Sequence, residues 1–121
     1  MLNSKMHERS VAKNLLNIVL DNANRDGKRY KIKTINIVIG QFTMINEDLL
    51  VDSFYQLSQS TLAENASINI IRSPLEGRCQ NCQRKFEINK NVFQCPFCNS
   101  RDIQIVSGDE LFIQDMEVLY Y

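Results

Sequence analysis

A single histidine, His7, supplies all the imidazole in this 121-residue chain. There is no second histidine to serve as a base, no nucleophile motif and no glycine-rich phosphate loop, so no catalytic constellation is visible and the chain reads as something other than an enzyme. Long hydrophobic runs are missing as well, and no stretch approaches the roughly 18 apolar residues of a membrane span. The first residues, MLNSKMHERS, contain no apolar run followed by a cleavage site; no secretory signal is expected, and the expected location is cytoplasmic. Net charge is absent, fourteen Lys and Arg balancing fourteen Asp and Glu. The protein as a whole therefore has no long-range pull on nucleic acid or on a membrane, and neither is an expected partner. Internal repeats and low-complexity tracts are also lacking.

What is present is ordinary globular material, with 44% hydrophobic and 23% charged residues, at a length suited to one domain or one domain with a small appendage. The charge is spread unevenly. Residues 1–45 hold eight basic and three acidic groups, whereas 46–70 hold four acidic groups and no basic one. The cluster Arg25, Lys28, Arg29, Lys31 and Lys33 suits an acidic partner, although such runs are ordinarily solvated faces.

From Met6 to about Asn24, Val11, Leu15, Leu16, Ile18, Val19 and Ala23 recur at helical spacing, and Asp26-Gly27 ends the predicted helix. In YKIKTINIVIG, Ile35, Ile37 and Ile39 share one face of a predicted strand, which Gly40 breaks. Asn46 is placed to cap a second helix, with Glu47 and Asp48 at the positive end of its dipole and Leu50, Phe54 and Leu57 as its buried stripe. A second strand is expected at 67–72. A third, ELFIQDMEVLYY, closes the chain, with Phe112, Met116 and Val118 facing inward against Asp115 and Glu117.

Between the last two strands lies a different segment, from Pro74 to Gly108, holding all four cysteines and few large aliphatics. The expected fold is α+β: two helices packed on a small three-stranded sheet, with an inserted four-cysteine zinc-ribbon module. Residues 1–73, completed by the last strand at 109–121, are expected to form one domain, and 74–108 the other.

The module reads Cys79-Gln-Asn-Cys82, twelve residues, then Cys95-Pro-Phe-Cys98. Each CxxC turn presents two thiolates to one ion, and four thiolates in a tetrahedron suit Zn²⁺ at about 2.3 Å per bond. Iron in a rubredoxin-like site has the same geometry and stays open at this stage. Without a signal peptide, disulfides are the weaker reading. The intervening FEINKNVF is expected to make a hairpin about Asn89-Lys90-Asn91. Arg78, Arg84 and Lys85 would offset the net −2 of four thiolates and one dication. No position is open to a substrate, so the site reads as structural. The position after each second cysteine often requires a left-handed backbone, and here it holds Gln83 and Asn99.

Taken alone, Met6-His7-Glu8 would pass for a surface tripeptide. The order of blocks along the chain changes that reading: MHExS opens the first helix, IGQF leads into the second, and CxxC–x12–CPxC is followed by SGDELFIQDMEV. In this order the chain resembles the hydrogenase nickel-incorporation family HypA/HybF, over nearly its whole length from Met6 to Val118. The resemblance implies a nickel metallochaperone for [NiFe]-hydrogenase maturation, with Ni²⁺ as cargo and Zn²⁺ as a structural ion. It carries nickel to His7, with Met6 and Glu8 as neighbours, and zinc to Cys79, Cys82, Cys95 and Cys98. It makes 1–73 the nickel-binding domain and implies a HypB-type GTPase and the hydrogenase large subunit as partners. Some members also supply urease, through urease maturation factors. In the family the motif's methionine is the first residue and its amine helps bind nickel, whereas here MLNSK precedes it. A chain starting at Met1 presents an amide at Met6, and one starting at Met6 an amine. Two rival readings remain, a zinc-ribbon module that binds protein or nucleic acid, and a rubredoxin-like electron carrier.

Overall fold

The computed structural model describes residues 4–23, 30–90 and 92–120. Asn24, Asp26-Gly27 and the basic residues Arg25, Lys28 and Arg29 lie outside the described residues, as do Asn91 and the side chain of Met6. The chain divides into two compact units: Met1–Ile37 with Ile45–Ile71 and Phe112–Tyr121, and Val38–Met44 with Arg72–Leu111.

In the first unit, helix α1 spans Ser4–Ala23. Its buried residues are Glu8, Ala12, Leu15, Leu16, Val19 and Ala23, a stripe at spacings of three and four that packs against the second helix. Ile18, expected on that stripe, is 50% exposed. It stands about 200° around the helix from Leu16, on the solvent side. Helix α2 spans Glu47–Leu57, and the Asn46 side chain accepts a hydrogen bond from the Leu49 backbone N–H at 3.0 Å, the expected cap. Leu50 and Phe54 are buried and Leu57 half-buried. Among the described residues no helix is long and apolar enough to cross a membrane.

Strands β1 (Tyr30–Gly40), β2 (Ser67–Ser73) and β6 (Leu111–Tyr120) form one sheet in the order β2-β1-β6. Ile35, Ile37 and Ile39 are fully buried on β1, as the period-two pattern requires. Asn69 donates to Asn36 at 3.0 Å, and Asn36 donates to Asp115, so an amide–carboxylate chain ties the three strands together across the sheet. Phe112 departs from expectation and is 46% exposed. Leu111 and Ile113 are half-buried, Gln114 and Asp115 are both exposed, and Met116 and Val118 are half-buried again. The alternation skips one step at Gln114-Asp115, and such a slip puts Phe112 on the opposite face from Met116.

The second unit carries a sheet of β3 (Glu76–Cys79), β4 (Lys85–Glu87) and β5 (Ile103–Ser107), antiparallel in the order β4-β3-β5. Its hairpin is β3–β4, closed around the first CxxC pair. The hairpin expected about Asn89-Lys90-Asn91 falls partly outside the described residues; among those described, β4 stops at Glu87, Val92 and Phe93 lie in no strand, and Val92 N–H bonds the Asn89 carbonyl at 3.1 Å. Ile88 instead turns inward and is buried, its N–H bonded to the Leu75 carbonyl at 2.8 Å. Gly40 and Gly108 meet backbone to backbone, where a Cβ on Gly40 would lie 2.1 Å from the Gly108 oxygen. The approach is held by Gly40 N–H to the Glu110 carbonyl at 2.7 Å and Phe42 N–H to the Gly108 carbonyl at 2.8 Å. Gly108 has a φ of 100°, which only glycine adopts freely.

Candidate metal centre

The two CxxC turns are built alike. In the first, Gln83 N–H bonds the Cys79 carbonyl at 2.8 Å, and Cys82 N–H points at the Cys79 sulfur at 3.4 Å. In the second, Asn99 N–H bonds the Cys95 carbonyl at 2.9 Å, and Phe97 N–H points at the Cys95 sulfur at 3.4 Å. Gln83 and Asn99 both have φ of 65°, the left-handed geometry expected from the motif. Each turn is anchored to its flanking chain, Cys79 N–H to the Arg84 carbonyl at 2.9 Å and Cys95 N–H to that of Ser100 at 2.8 Å.

These turns bring Cys79, Cys82, Cys95 and Cys98 together with all four sulfurs within 4.8 Å of one another. Cys79 and Cys98 are 3.5 Å apart, and Cys82 and Cys95 are 3.6 Å apart. A tetrahedron with bonds of about 2.3 Å has S···S edges of about 3.8 Å, so the cluster is close to the size of a four-thiolate zinc or iron site. A disulfide needs about 2.05 Å, and all four thiols are free. Cys79 and Cys95 are buried, Cys82 is half-buried and Cys98 is exposed.

The electrostatics of the set call for a cation. The Asn81 side chain, 3.5 Å from the Cys98 sulfur, leads the groups that lower the Cys98 thiol to about 6, with the Ser100 backbone next. Cys82 is pushed up to about 11: the Arg84 backbone N–H opposes the rise, and desolvation together with the thiols of Cys95, Cys79 and Cys98 outweighs it. Thiolates this close repel one another, and a dication among them offsets that repulsion.

Asn81 and Phe97 were not singled out by the motif, whereas Arg84 was, as a charge offsetting the thiolates. The Arg84 guanidinium lies 4.8 Å from the Phe97 ring centroid, so a side chain that follows the first turn closes over one of the second. The signal was available, since Asn81 and Phe97 occupy variable positions of the two CxxC pairs. Lys85, expected to offset the thiolates, is 3.8 Å from Glu76 and shares its charge there.

His7 and Glu8 lie in the opening turns of α1, the stretch of a helix whose first N–H groups lack intrahelical acceptors. His7 is exposed. Glu8 is only 1% exposed, and its Oε2 has no hydrogen-bond partner among the described residues. The two neighbours stand about 100° apart around the helix, His7 toward solvent and Glu8 toward the core. Among the described residues no carboxylate or thiol completes a three-ligand cluster with His7; the four cysteines are the one such group. The burial of Glu8 was readable from its register, four residues before Ala12 and seven before Leu15 on the apolar stripe.

Residues 6–118 match the family model described as hydrogenase/urease nickel incorporation, metallochaperone, hypA. The hydrogenase maturation factor HypA of Dehalococcoides mccartyi strain 195 is 35% identical over 113 residues, which is 93% of this chain and 94% of that protein. The HypA of Rhizobium leguminosarum bv. viciae is 31% identical, over 94% of this chain and all of its own length. A solution structure of HypA protein superposes with a TM-score of 0.70 at 26% identity, covering 94% of this chain and 97% of the other. The solution structure of the Ni metallochaperone HypA from Helicobacter pylori gives a TM-score of 0.65 at 23% identity, covering 94% and 98%, a likeness of fold.

Proposed function

The chain belongs to the HypA family of hydrogenase maturation factors, and from that premise we propose that it binds Ni²⁺ at its N-terminal motif and delivers it to [NiFe]-hydrogenase. It holds nickel through His7, with Met6 and Glu8 as neighbours, and holds Zn²⁺ permanently at Cys79, Cys82, Cys95 and Cys98. The observation that carries this reading is the coexistence of two unlike donor sets in one HypA-family chain. One is a lone exposed imidazole at a helix start, and the other a closed cluster of four sulfurs within 4.8 Å.

The donor chemistry separates the two roles. Four thiolates fill a tetrahedral shell and leave no open position, which suits a structural ion. An exposed imidazole beside backbone nitrogens of the first helical turn suits square-planar Ni²⁺, and such a shallow site releases its ion more readily than a cage. The domain of residues 1–73 and 109–121 is the carrier, and the module at 74–108 is the zinc-held part. Delivery engages a HypB-type GTPase and the hydrogenase large subunit, and urease is a second client through its maturation factors. The protein carries its metal in the cytoplasm and catalyses no reaction.

The test is metal analysis followed by Ni²⁺ titration of the zinc-loaded protein. One zinc retained through dialysis and one exchangeable nickel supports the proposal; a coloured iron centre or no nickel uptake overturns it.

A further inference from the structure

Away from both metal sets, the helical unit carries an open groove of about 600 Å³ between α2 and β2. Glu47, Asp48, Asp52 and Tyr55 line its helical wall, and Ile68 and Ile70 its strand wall. Asp48, Asp52 and Tyr55 stand at positions i, i+4 and i+7, on one face of α2. Tyr55 is 54% exposed.

The strand wall belongs to an edge. In the order β2-β1-β6, β2 has a neighbour on one side only among the described residues. Edge strands are commonly blunted by lysine, proline or a bulge, because their free N–H and C=O groups invite pairing. β2 contains no lysine and no proline, and its one charged residue is Arg72, next to its last position. Beside this edge, on the facing wall of α2, stand the carboxylates of Asp48 and Asp52.

We infer that the groove between α2 and the free edge of β2 takes an extended lysine- or arginine-rich segment of a partner protein, added to the sheet as a further strand. Backbone pairing along β2 would give the affinity, and the carboxylates of α2 the specificity. Residues four apart on a helix are separated by about 6 Å along its axis. Alternate residues of a strand are about 6.8 Å apart, a spacing close to that of Asp48 and Asp52. The carboxylates do not converge as metal ligands do, the four cysteines being the one such cluster among the described residues. A second copy of this chain fits poorly, because a two-fold pairing of β2 strands would set one acidic α2 wall against another.

The test uses the zinc-loaded full chain, ¹⁵N-labelled and titrated with a capped synthetic octapeptide alternating lysine and valine. Amide shifts should concentrate at 67–71 and 47–55, and Asp48→Asn/Asp52→Asn should weaken binding by about tenfold, as for two exposed ion pairs. The same peptide with alternate N–H groups methylated along its pairing edge should not bind, while zinc content and Ni²⁺ uptake of the double variant stay at wild-type values. Equal binding of the methylated peptide, equal binding of a glutamate–valine peptide, or shifts confined to other surfaces would overturn the inference.

Discussion

Glu8→Met should make the helical unit more stable. Glu8 is 1% exposed, lies on the buried stripe of α1, and keeps Oε2 without a hydrogen-bond partner among the described residues. A buried polar atom left unsatisfied costs about 1–3 kcal/mol. Methionine has similar length, no polar atom and adaptable packing, so removing that penalty should raise the unfolding free energy by about 1–3 kcal/mol. At about 4 °C per kcal/mol for a domain of this size, the melting temperature should rise by roughly 4–12 °C. Both helices belong to the same unit, so urea unfolding of the zinc-loaded protein followed by far-ultraviolet circular dichroism reads the effect directly. The same variant should bind Ni²⁺ more weakly without losing it, because His7 remains. A residue that costs stability where it stands and supports metal uptake would produce both effects. The reasoning is refuted if Glu8→Met is less stable than wild type by more than about 1 kcal/mol, since the carboxyl would then be making interactions that offset its burial.

Alanine at any one of Cys79, Cys82, Cys95 or Cys98 should release zinc and disorder residues 74–108 while leaving the helices folded, because the metal supplies much of that module's folding free energy; zinc analysis with amide spectra checks this, and full zinc retention in all four variants contradicts it. Gly40→Ala should destabilise by about 2–3 kcal/mol or more in thermal melts, since its Cβ would meet the Gly108 carbonyl oxygen at 2.1 Å and backbone cannot give way cheaply. The Glu110 carboxyl is held below its ordinary value of 4.5, chiefly by the Ser73 hydroxyl at 2.7 Å and then by the Gly108 N–H. A depressed carboxylate contributes stability above its unfolded pKa and loses it as pH falls through the folded one. Glu110→Gln should therefore flatten the acid loss of stability below about pH 4.5, and an unchanged acid limb in denaturant melts would contradict it.

The elements with a strong period were readable before the structure. The run Ile35, Ile37, Ile39 can only be a strand with one buried face, and Asn46 with Glu47 and Asp48 behind it can only open a helix. The cysteine spacing gave the sulfur cluster because two tight turns of fixed geometry leave little else for it to form. What failed depended on tertiary context. The position of Phe112 turns on a one-step slip at Gln114-Asp115 that no local propensity announces. The module's hairpin closes around the first CxxC pair because pairing of Arg78 with Lys85 brackets that turn, while Ile88 is drawn inward as core and ends β4. Gly40 and Gly108 read as separate punctuation, and their contact spans 68 residues of sequence (108 − 40) that no pattern connects. Glu8 was legible as a stripe residue, but its charge suggested the surface.

The central claim is that one imidazole carries the cargo while four thiolates hold the shape. The direct measurement is calorimetric Ni²⁺ titration of zinc-loaded wild type and His7→Ala at one pH, with zinc content and melting recorded for both. His7 is exposed, so truncation should change stability by no more than about 0.5 kcal/mol. The expected result is one nickel bound by wild type, none bound specifically by the variant, and equal zinc. A variant that takes up one nickel as tightly as wild type would contradict the account and return His7 to the status of a surface residue.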